Sequence, residues 1–136
     1  MLTLTTEVAQ GIIAQAREHA PIETCGYLAG NGTLVTLRLP LTNTDASAEH
    51  YSLDPAEQFA AVRTIREKGL QLIAVYHSHP ATPARPSEED IRLAYDPNLS
   101  YVIVSLAGDE PDIRSFRIRG GTVEKEPVEI SKGVTT

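Results

Sequence analysis

Residues 70–80 carry the sequence LQLIAVYHSHP, in which an apolar run leads into a pair of histidines. The run from Leu70 to Tyr76 is almost continuously apolar, as is typical of a β-strand that is covered on both faces of a sheet. Pro80 cannot donate a hydrogen bond to a neighbouring strand, so the strand is expected to stop before it. His77 is therefore predicted at the carboxyl end of a buried strand, where the chain gives way to a loop.

Three helices are predicted around this strand. Apolar residues recur at helical spacing across residues 6–19, which begin beside a threonine that can cap the first turn. The segment 54–57 combines an aspartate N-cap, a proline at the first helical position and a glutamate, and it predicts a second helix that runs to Gly69. Ser87 is expected to begin a third helix, which ends near residues 96–98.

Much of the remaining chain favours strands. Asn31-Gly32 lies between the apolar run 21–30 and the alternating run 33–39, which is the pattern of a β-hairpin. Residues 41–49 are small and polar and predict a loop. Further strands are expected at residues 50–53, 101–106, 113–119 and 122–130, although Pro127 limits the pairing of the last. This order predicts one domain of the α/β or α+β class over residues 1–136, with a mixed sheet packed by about three helices and a frayed tail from residue 131.

Composition excludes several classes of function. The chain has 136 residues, of which 41% are hydrophobic and 22% are charged, as in a single globular domain. Its 18 acidic residues outnumber its 12 basic ones, so we expect no nucleic-acid partner, since phosphate binding relies on lysine and arginine. Cys25 is the only cysteine, which excludes an internal disulfide and a four-cysteine zinc site. We find no apolar stretch of about 18 residues and no leader-like N-terminus, so we expect no membrane span and a cytoplasmic location.

The two histidines and an acid beyond them predict a metal centre. His77, His79 and Asp90 supply two imidazoles and a carboxylate, a ligand set that zinc accepts. Three protein ligands leave the fourth position open for water, which is typical of a catalytic rather than a structural zinc site. We expect the chain to turn at Ser78, so that both imidazoles can reach one ion.

Each part of this pattern also has a purely structural interpretation. Ser87-x-x-Asp90 is an N-capping arrangement worth about 1 kcal/mol, and His-x-His alone can be a pair of surface histidines. Their conjunction favours the metal centre, because two of the four histidines lie at a strand end and are followed by a rigid proline loop and an acid. A zinc hydrolase also needs a group that moves protons, and Glu23 is a carboxylate that neither capping nor pairing explains.

Together these residues resemble the JAMM (MPN-plus) metalloprotease family. The resemblance rests on Glu23 at the head of ETCGYLAG (residues 23–30), on HSHP (residues 77–80) and on Ser87-x-x-Asp90, and it covers nearly the whole chain in the same order. It implies one zinc ion held by His77, His79 and Asp90, a water activated by Glu23, and Ser87 as the group that stabilises the oxyanion. It also implies a curved sheet similar to that of cytidine deaminases.

The resemblance further implies a substrate. Members of the family cut peptide or isopeptide bonds after the C-terminal glycines of ubiquitin-like proteins, and small stand-alone bacterial members are linked to ubiquitin-like sulfur carriers. The residues leave open both trimming of a carrier's tail and release of an attached amino acid such as cysteine. The alternative function is a non-catalytic binding module, since the family also contains scaffold members that lack ligands. A zinc deaminase is disfavoured because the sequence lacks both His-x-Glu and Pro-Cys-x-x-Cys.

Overall fold

The computed structural model describes residues 1–131, which form three helices and eight strands. In chain order the elements are β1 (Leu2–Thr5), α1 (Thr6–His19), β2 (Cys25–Asn31), β3 (Leu34–Leu41), α2 (Pro55–Glu67), β4 (Gln71–His79), α3 (Glu88–Arg92), β5 (Ser100–Ser105), β6 (Asp112–Arg119), β7 (Thr122–Glu126) and β8 (Val128–Ser131). No helix within residues 1–131 is long and apolar enough to cross a membrane. The expected class, a mixed α+β domain with three helices, is confirmed.

One mixed sheet contains all the strands of the described chain, in the order β7-β6-β5-β4-β2-β3-β1-β8. The strand that carries the histidines, β4, lies between β2, which runs antiparallel to it, and β5, which runs parallel. The two outermost strands are β7 and β8, yet Pro127 alone separates them in the chain. Pro127 lacks the N–H that a ladder needs, so pairing breaks there and the chain passes from one edge of the sheet to the other. Those edges must therefore approach each other, which makes the sheet a near-barrel.

The two faces of this sheet bury different side chains. On one face α1 packs through Val8, Ile12 and Ala16, the apolar stripe that its sequence predicted. On the other face α2 covers a cluster around Cys25, and a further cluster surrounds Ile103. Because side chains alternate along a strand, every second residue of β4 faces the α2 side. That side also bears the candidate site.

Short-range signals are confirmed where they depend on neighbouring residues. The predicted first helix, residues 6–19, matches α1, and the Thr5 hydroxyl caps it by accepting from the N–H of Val8. The Asp54 side chain caps α2 by accepting from the N–H of Ala56. The hairpin joins β2 to β3 through Gly32, whose positive φ of 63° suits a residue without a side chain.

Several expected boundaries are wrong. Residues 50–53 form no strand but the end of a loop, and the third helix stops at Arg92, well before residues 96–98. Residues 122–130 form two strands because Pro127 interrupts them. The strand β1 was not predicted, although its alternating burial is that of a half-covered strand. Of the expected frayed tail, Ser131 ends β8, and residues 132–136 lie outside the described part of the chain.

Candidate metal centre and active site

His77 and His79 lie side by side on the α2 face of β4. Both are within the strand, which pairs with β5 as far as His79 opposite Ser105, so the expected turn at Ser78 is wrong. No turn is needed, because residues two apart in a strand project from the same face. Both imidazoles are buried, and their Nε2 atoms lie 3.2 Å apart.

Asp90 reaches the same point from the first turn of α3. Its Oδ2 atom lies 3.1 Å from Nε2 of His77 and 3.1 Å from Nε2 of His79. The loop 80–86 brings α3 back to the end of β4, and its Thr82 carbonyl is fixed there by accepting from the hydroxyl of Ser105. The three side chains that the sequence singled out as ligands are therefore brought together by two separate elements.

Their three atoms have the spacing and chemistry of a metal centre. They form a nearly equilateral triangle with edges of 3.1–3.2 Å. Ligands about 2.0 Å from a tetrahedral zinc ion lie about 3.3 Å apart. The Nδ1 atom of His79 donates to the Pro83 carbonyl (2.9 Å), so in the neutral ring the lone pair is on Nε2, the atom that faces Asp90. A lone pair on Nε2 and a carboxylate oxygen repel each other unless a cation lies between them, so these residues fit a zinc ion.

The pKa values favour positive charge at the same place. Burial would raise the pKa of Asp90, but its hydrogen bonds to His77 and His79 hold that pKa well below the usual range of an aspartate. Burial would likewise lower the pKa of His79, yet its hydrogen bonds to Asp90 and to the Pro83 carbonyl raise it. Asp90 is therefore an anion at neutral pH, and it stabilises positive charge between itself and the imidazoles, from protons or from a metal ion.

Glu23 lies beside the triangle, at the head of the neighbouring strand. Cys25 pairs with His77. The N–H of Thr24 donates to the Ser78 hydroxyl, and the N–H of Ser78 donates to the Thr24 carbonyl, so Glu23 lies opposite His79. Glu23 is 4% exposed, and its Oε1 atom has no hydrogen-bond partner among residues 1–131. Burial raises the pKa of Glu23 to about 8. A buried carboxyl oxygen without a protein partner is placed to bond a ligand or a water molecule.

Ser87 caps α3 in a capping box with Asp90. The Ser87 hydroxyl accepts from the N–H of Asp90 (3.0 Å), and the N–H of Ser87 donates to Oδ2 of Asp90 (2.9 Å). This confirms the structural interpretation of Ser87-x-x-Asp90. Because the Ser87 oxygen accepts in this bond, its hydroxyl hydrogen remains available to a ligand.

A groove of about 550 Å³ follows β4 to the triangle, and His77 and Asp90 line it. Four of the five tyrosines of the chain also line it: Tyr27, Tyr51, Tyr95 and Tyr101. From Leu72 to His77 the groove follows β4 for about 16 Å, which is enough for an extended peptide of about five residues. Its shape therefore suits a peptide tail whose end meets the candidate metal centre.

Two residues that support this site, Tyr51 and Asn43, carry no recognisable signal in the sequence. Tyr51 stacks on His77, with ring centroids 4.8 Å apart and ring planes inclined by 30°. Asn43 donates from its side-chain amide to the backbone carbonyl of Glu23 (3.1 Å). Both lie in the segment that the sequence presented as a loop and a short strand. No local spacing marks either residue, because their partners lie far away in the sequence.

Comparison with known proteins gives the family. The model of the prokaryotic homologs of the JAB domain matches residues 5–119. A CysO-cysteine peptidase of Mycobacterium tuberculosis is 35% identical over 133 residues, which cover 96% of this chain and 91% of that protein. A desampylase of Haloferax volcanii is 35% identical over 114 residues, covering 79% and 82% of the two chains. A probable TtuB-protein conjugate cleaving protease of Thermus thermophilus is 34% identical over 123 residues, covering 87% and 79%.

Solved structures share the fold. The solution structure of protein DSY2949 from Desulfitobacterium hafniense has a TM-score of 0.89 at 45% identity, and the match covers 97% of this chain and 94% of that one. A JAMM structure, described as a metalloprotease-like zinc site in the proteasome and signalosome, has a TM-score of 0.64 at 19% identity and covers 96% and 98% of the two chains, which supports the fold alone. The chain belongs to the JAMM family, as one of the small prokaryotic homologs of the JAB domain, and it is a hydrolase.

Proposed function

We propose that this hydrolase is a zinc-dependent peptidase that cuts the bond after the C-terminal Gly-Gly of a ubiquitin-like or sulfur-carrier protein. One observation carries the proposal. The Nε2 atoms of His77 and His79 and the Oδ2 atom of Asp90 form a triangle with edges of 3.1–3.2 Å beside the buried carboxyl of Glu23. Ligands and a proton-transfer group therefore share one face of the sheet.

His77, His79 and Asp90 would hold one zinc ion. Both histidines would bind through Nε2 and Asp90 through Oδ2, and the bond from Nδ1 of His79 to the Pro83 carbonyl would keep that ring oriented. A zinc ion there supplies Lewis acidity, which polarises a carbonyl and lowers the pKa of water to about 7.

Glu23 would move the proton. Its pKa of about 8 lies close to neutrality, so its carboxyl group can both accept and release a proton at little cost. The carboxylate would take a proton from the attacking water and pass it to the nitrogen of the departing amine. The unpartnered Oε1 atom is free for this exchange within the described chain.

Ser87 would stabilise the oxyanion that forms when water adds to the scissile carbonyl. The bond from the N–H of Asp90 fixes the Ser87 oxygen, and the hydroxyl hydrogen can point to the substrate. A donor of this kind is worth about 2.7–4 kcal/mol of transition-state stabilisation.

The names of the relatives and the groove support the class of substrate. One relative is named for CysO-cysteine and another for TtuB-protein conjugates, so both concern bonds to a carrier protein. An extended tail would lie in the groove along β4. Terminal glycines would allow its backbone to come close to the buried centre, because no side chain stands in the way.

The test uses two purified carrier substrates, one ending in Gly-Gly-Cys and one joined through Gly-Gly to a lysine side chain, analysed by mass spectrometry. We expect cleavage directly after the second glycine of at least one substrate, lost with a zinc chelator and restored by zinc. The two substrates distinguish release of an amino acid from cleavage of an isopeptide bond.

Glu23→Gln should abolish this cleavage while zinc content stays at about one ion per chain, because Glu23 is not assigned as a ligand. The matched control is Glu88→Gln, which removes an exposed carboxylate from the start of α3 and should cleave normally. Loss of zinc from Glu23→Gln, or cleavage by it at the wild-type rate, would overturn the role assigned to Glu23.

A further inference from the structure

Residues 42–53, which we call the Asn43 loop, connect β3 to α2 without a helix or a strand. The loop is nevertheless tied together by side chains. The Asp45 carboxylate lies 2.9 Å from Nδ1 of His50 and accepts from the hydroxyl of Ser52 (2.7 Å). The N–H of Thr44 donates to the Ser52 carbonyl (3.0 Å). The two halves of the loop therefore hold each other.

The side-chain amide of Asn43 is the centre of this arrangement and makes four hydrogen bonds. Its Oδ1 atom accepts from the N–H groups of Asp45 (3.0 Å) and Ser52 (3.1 Å). Its Nδ2 atom donates to the carbonyls of His50 (3.0 Å) and Glu23 (3.1 Å). Two N–H donors at one end and two carbonyl acceptors at the other allow only this orientation of the amide. Three of the bonds fold the loop, and the fourth ties it to Glu23.

The Asn43 loop reaches the candidate active site at two points. The carbonyl of Ser47 accepts from the N–H of Glu23 (2.8 Å), so the loop bonds both backbone polar groups of Glu23. From the other end of the loop, the ring of Tyr51 packs on the His77 imidazole at a centroid distance of 4.8 Å, the geometry of an offset aromatic pair. His77 lies on β4 and Glu23 lies just before β2, and this loop contacts both of them.

We propose that Asn43 is a positioning residue, which folds residues 42–53 into one unit that holds Glu23 for proton transfer and holds the His77 ring through Tyr51. The part about Glu23 rests on the proposed function, whereas the part about His77 does not. Asn43 touches neither the ligand atoms nor the groove, so it acts through these two residues. A displacement of about 1 Å in a reacting group can cost roughly 100-fold in rate.

The first measurement needs neither metal nor substrate. The ring protons of His77 are assigned by NMR in the metal-free chain, where the ring current of Tyr51 shifts them. Tyr51→Leu removes that ring current and gives the reference displacement. Asn43→Ala should move the same resonances toward the Tyr51→Leu positions, because the loop loses its four central bonds. Asn31→Ala, an exposed asparagine at the far end of β2, is the matched control and should leave them unchanged.

The second measurement concerns Glu23 in the zinc-loaded enzyme. With saturating zinc, Asn43→Ala should lower kcat roughly 100-fold and change KM much less, since only Tyr51, Ser52 and Leu53 of the groove's lining belong to the loop. Asn43→Asp serves if the alanine variant does not fold. It keeps the acceptor bonds to Asp45 and Ser52 but loses the donor bonds to the carbonyls of Glu23 and His50. We therefore expect kcat to fall, whereas the His77 resonances should move less than in Asn43→Ala, because two of the three bonds that fold the loop remain.

The outcomes separate the two parts of the inference. Unchanged His77 resonances in Asn43→Ala overturn the part concerning Tyr51, and an unchanged kcat overturns the part concerning Glu23. If the wild-type chain cleaves no carrier substrate, the proposed function fails, and the part concerning Glu23 fails with it. The His77 resonances then decide the remaining part by themselves.

Discussion

The side chains of Ser87 and Asp90 each accept a hydrogen bond from the backbone of the other, at 3.0 Å and 2.9 Å. The oxygen by which Asp90 accepts, Oδ2, is also the atom that lies 3.1 Å from both histidine Nε2 atoms. One carboxylate oxygen therefore takes part in the capping box at the start of α3 and also completes the candidate metal centre. This coupling explains why a capping pattern and a ligand pattern occupy the same four residues, and it allows the two roles to be separated by mutation.

Asp90→Ala and Asp90→Asn should differ in stability but agree in metal binding. The alanine variant loses both the cap and the charge, and its free energy of unfolding should fall by about 1 kcal/mol in the metal-free chain. The asparagine variant keeps a carbonyl acceptor for the N–H of Ser87 and should stay closer to wild type. Both should lose tight zinc binding, measured by competition with a chromogenic chelator. If either variant bound zinc with the wild-type affinity, Asp90 would not be a zinc ligand, and its only role would be to cap α3.

Ser87→Ala should lower kcat by roughly 100- to 1,000-fold with zinc still bound, because it removes the proposed oxyanion donor. Ser87→Thr is the matched rescue, since threonine keeps a hydroxyl that can both cap and donate. Zinc content and kcat are measured on the same preparations. Equal activity of the alanine variant and wild type would contradict the role given to the hydroxyl.

The metal-free chain should lose stability as pH rises from about 4.5 to about 8, the interval over which burial shifts the pKa of Glu23. In this interval the folded chain binds more protons at Glu23 than the unfolded chain does, so the free energy of unfolding falls as pH increases. Glu23→Gln cannot titrate, and its stability relative to wild type should therefore grow from pH 5 to pH 8. Urea unfolding at several pH values measures this difference. A difference that stays flat across this range for Glu23→Gln would contradict a raised pKa of Glu23.

Cys25 should resist alkylation in the folded chain at pH 8. The thiol is fully buried and donates to the Leu41 carbonyl (3.6 Å), and burial raises its pKa to about 12, with smaller effects from the charges of Glu57 and Glu23. Only the thiolate reacts readily, so modification requires unfolding. Mass spectrometry after iodoacetamide treatment, with and without urea, gives the measurement. Rapid modification without urea would show that β2 opens in the native chain.

Local chemistry of the sequence determined several elements of secondary structure. Each helix start depends on a cap and its neighbours within one turn, as at Thr5, Asp54 and Ser87, so the signal is complete in a few residues. The same holds for the hairpin turn at Gly32. The sequence also named Glu23, His77, His79, Ser87 and Asp90 as a set, because their residue types and spacing resemble a known metal site.

Tertiary structure decided how those residues meet. The pairing of Cys25 with His77 places Glu23 opposite His79, and the uninterrupted strand β4 puts both histidines on one face without the turn expected at Ser78. Asn43 and Tyr51 were not marked as site residues by any pattern, since their partners Glu23 and His77 lie 20 and 26 residues away. Capping and turn signals act through adjacent residues and can be read along the chain, whereas strand register and loop packing depend on contacts that exist only once distant segments have come together.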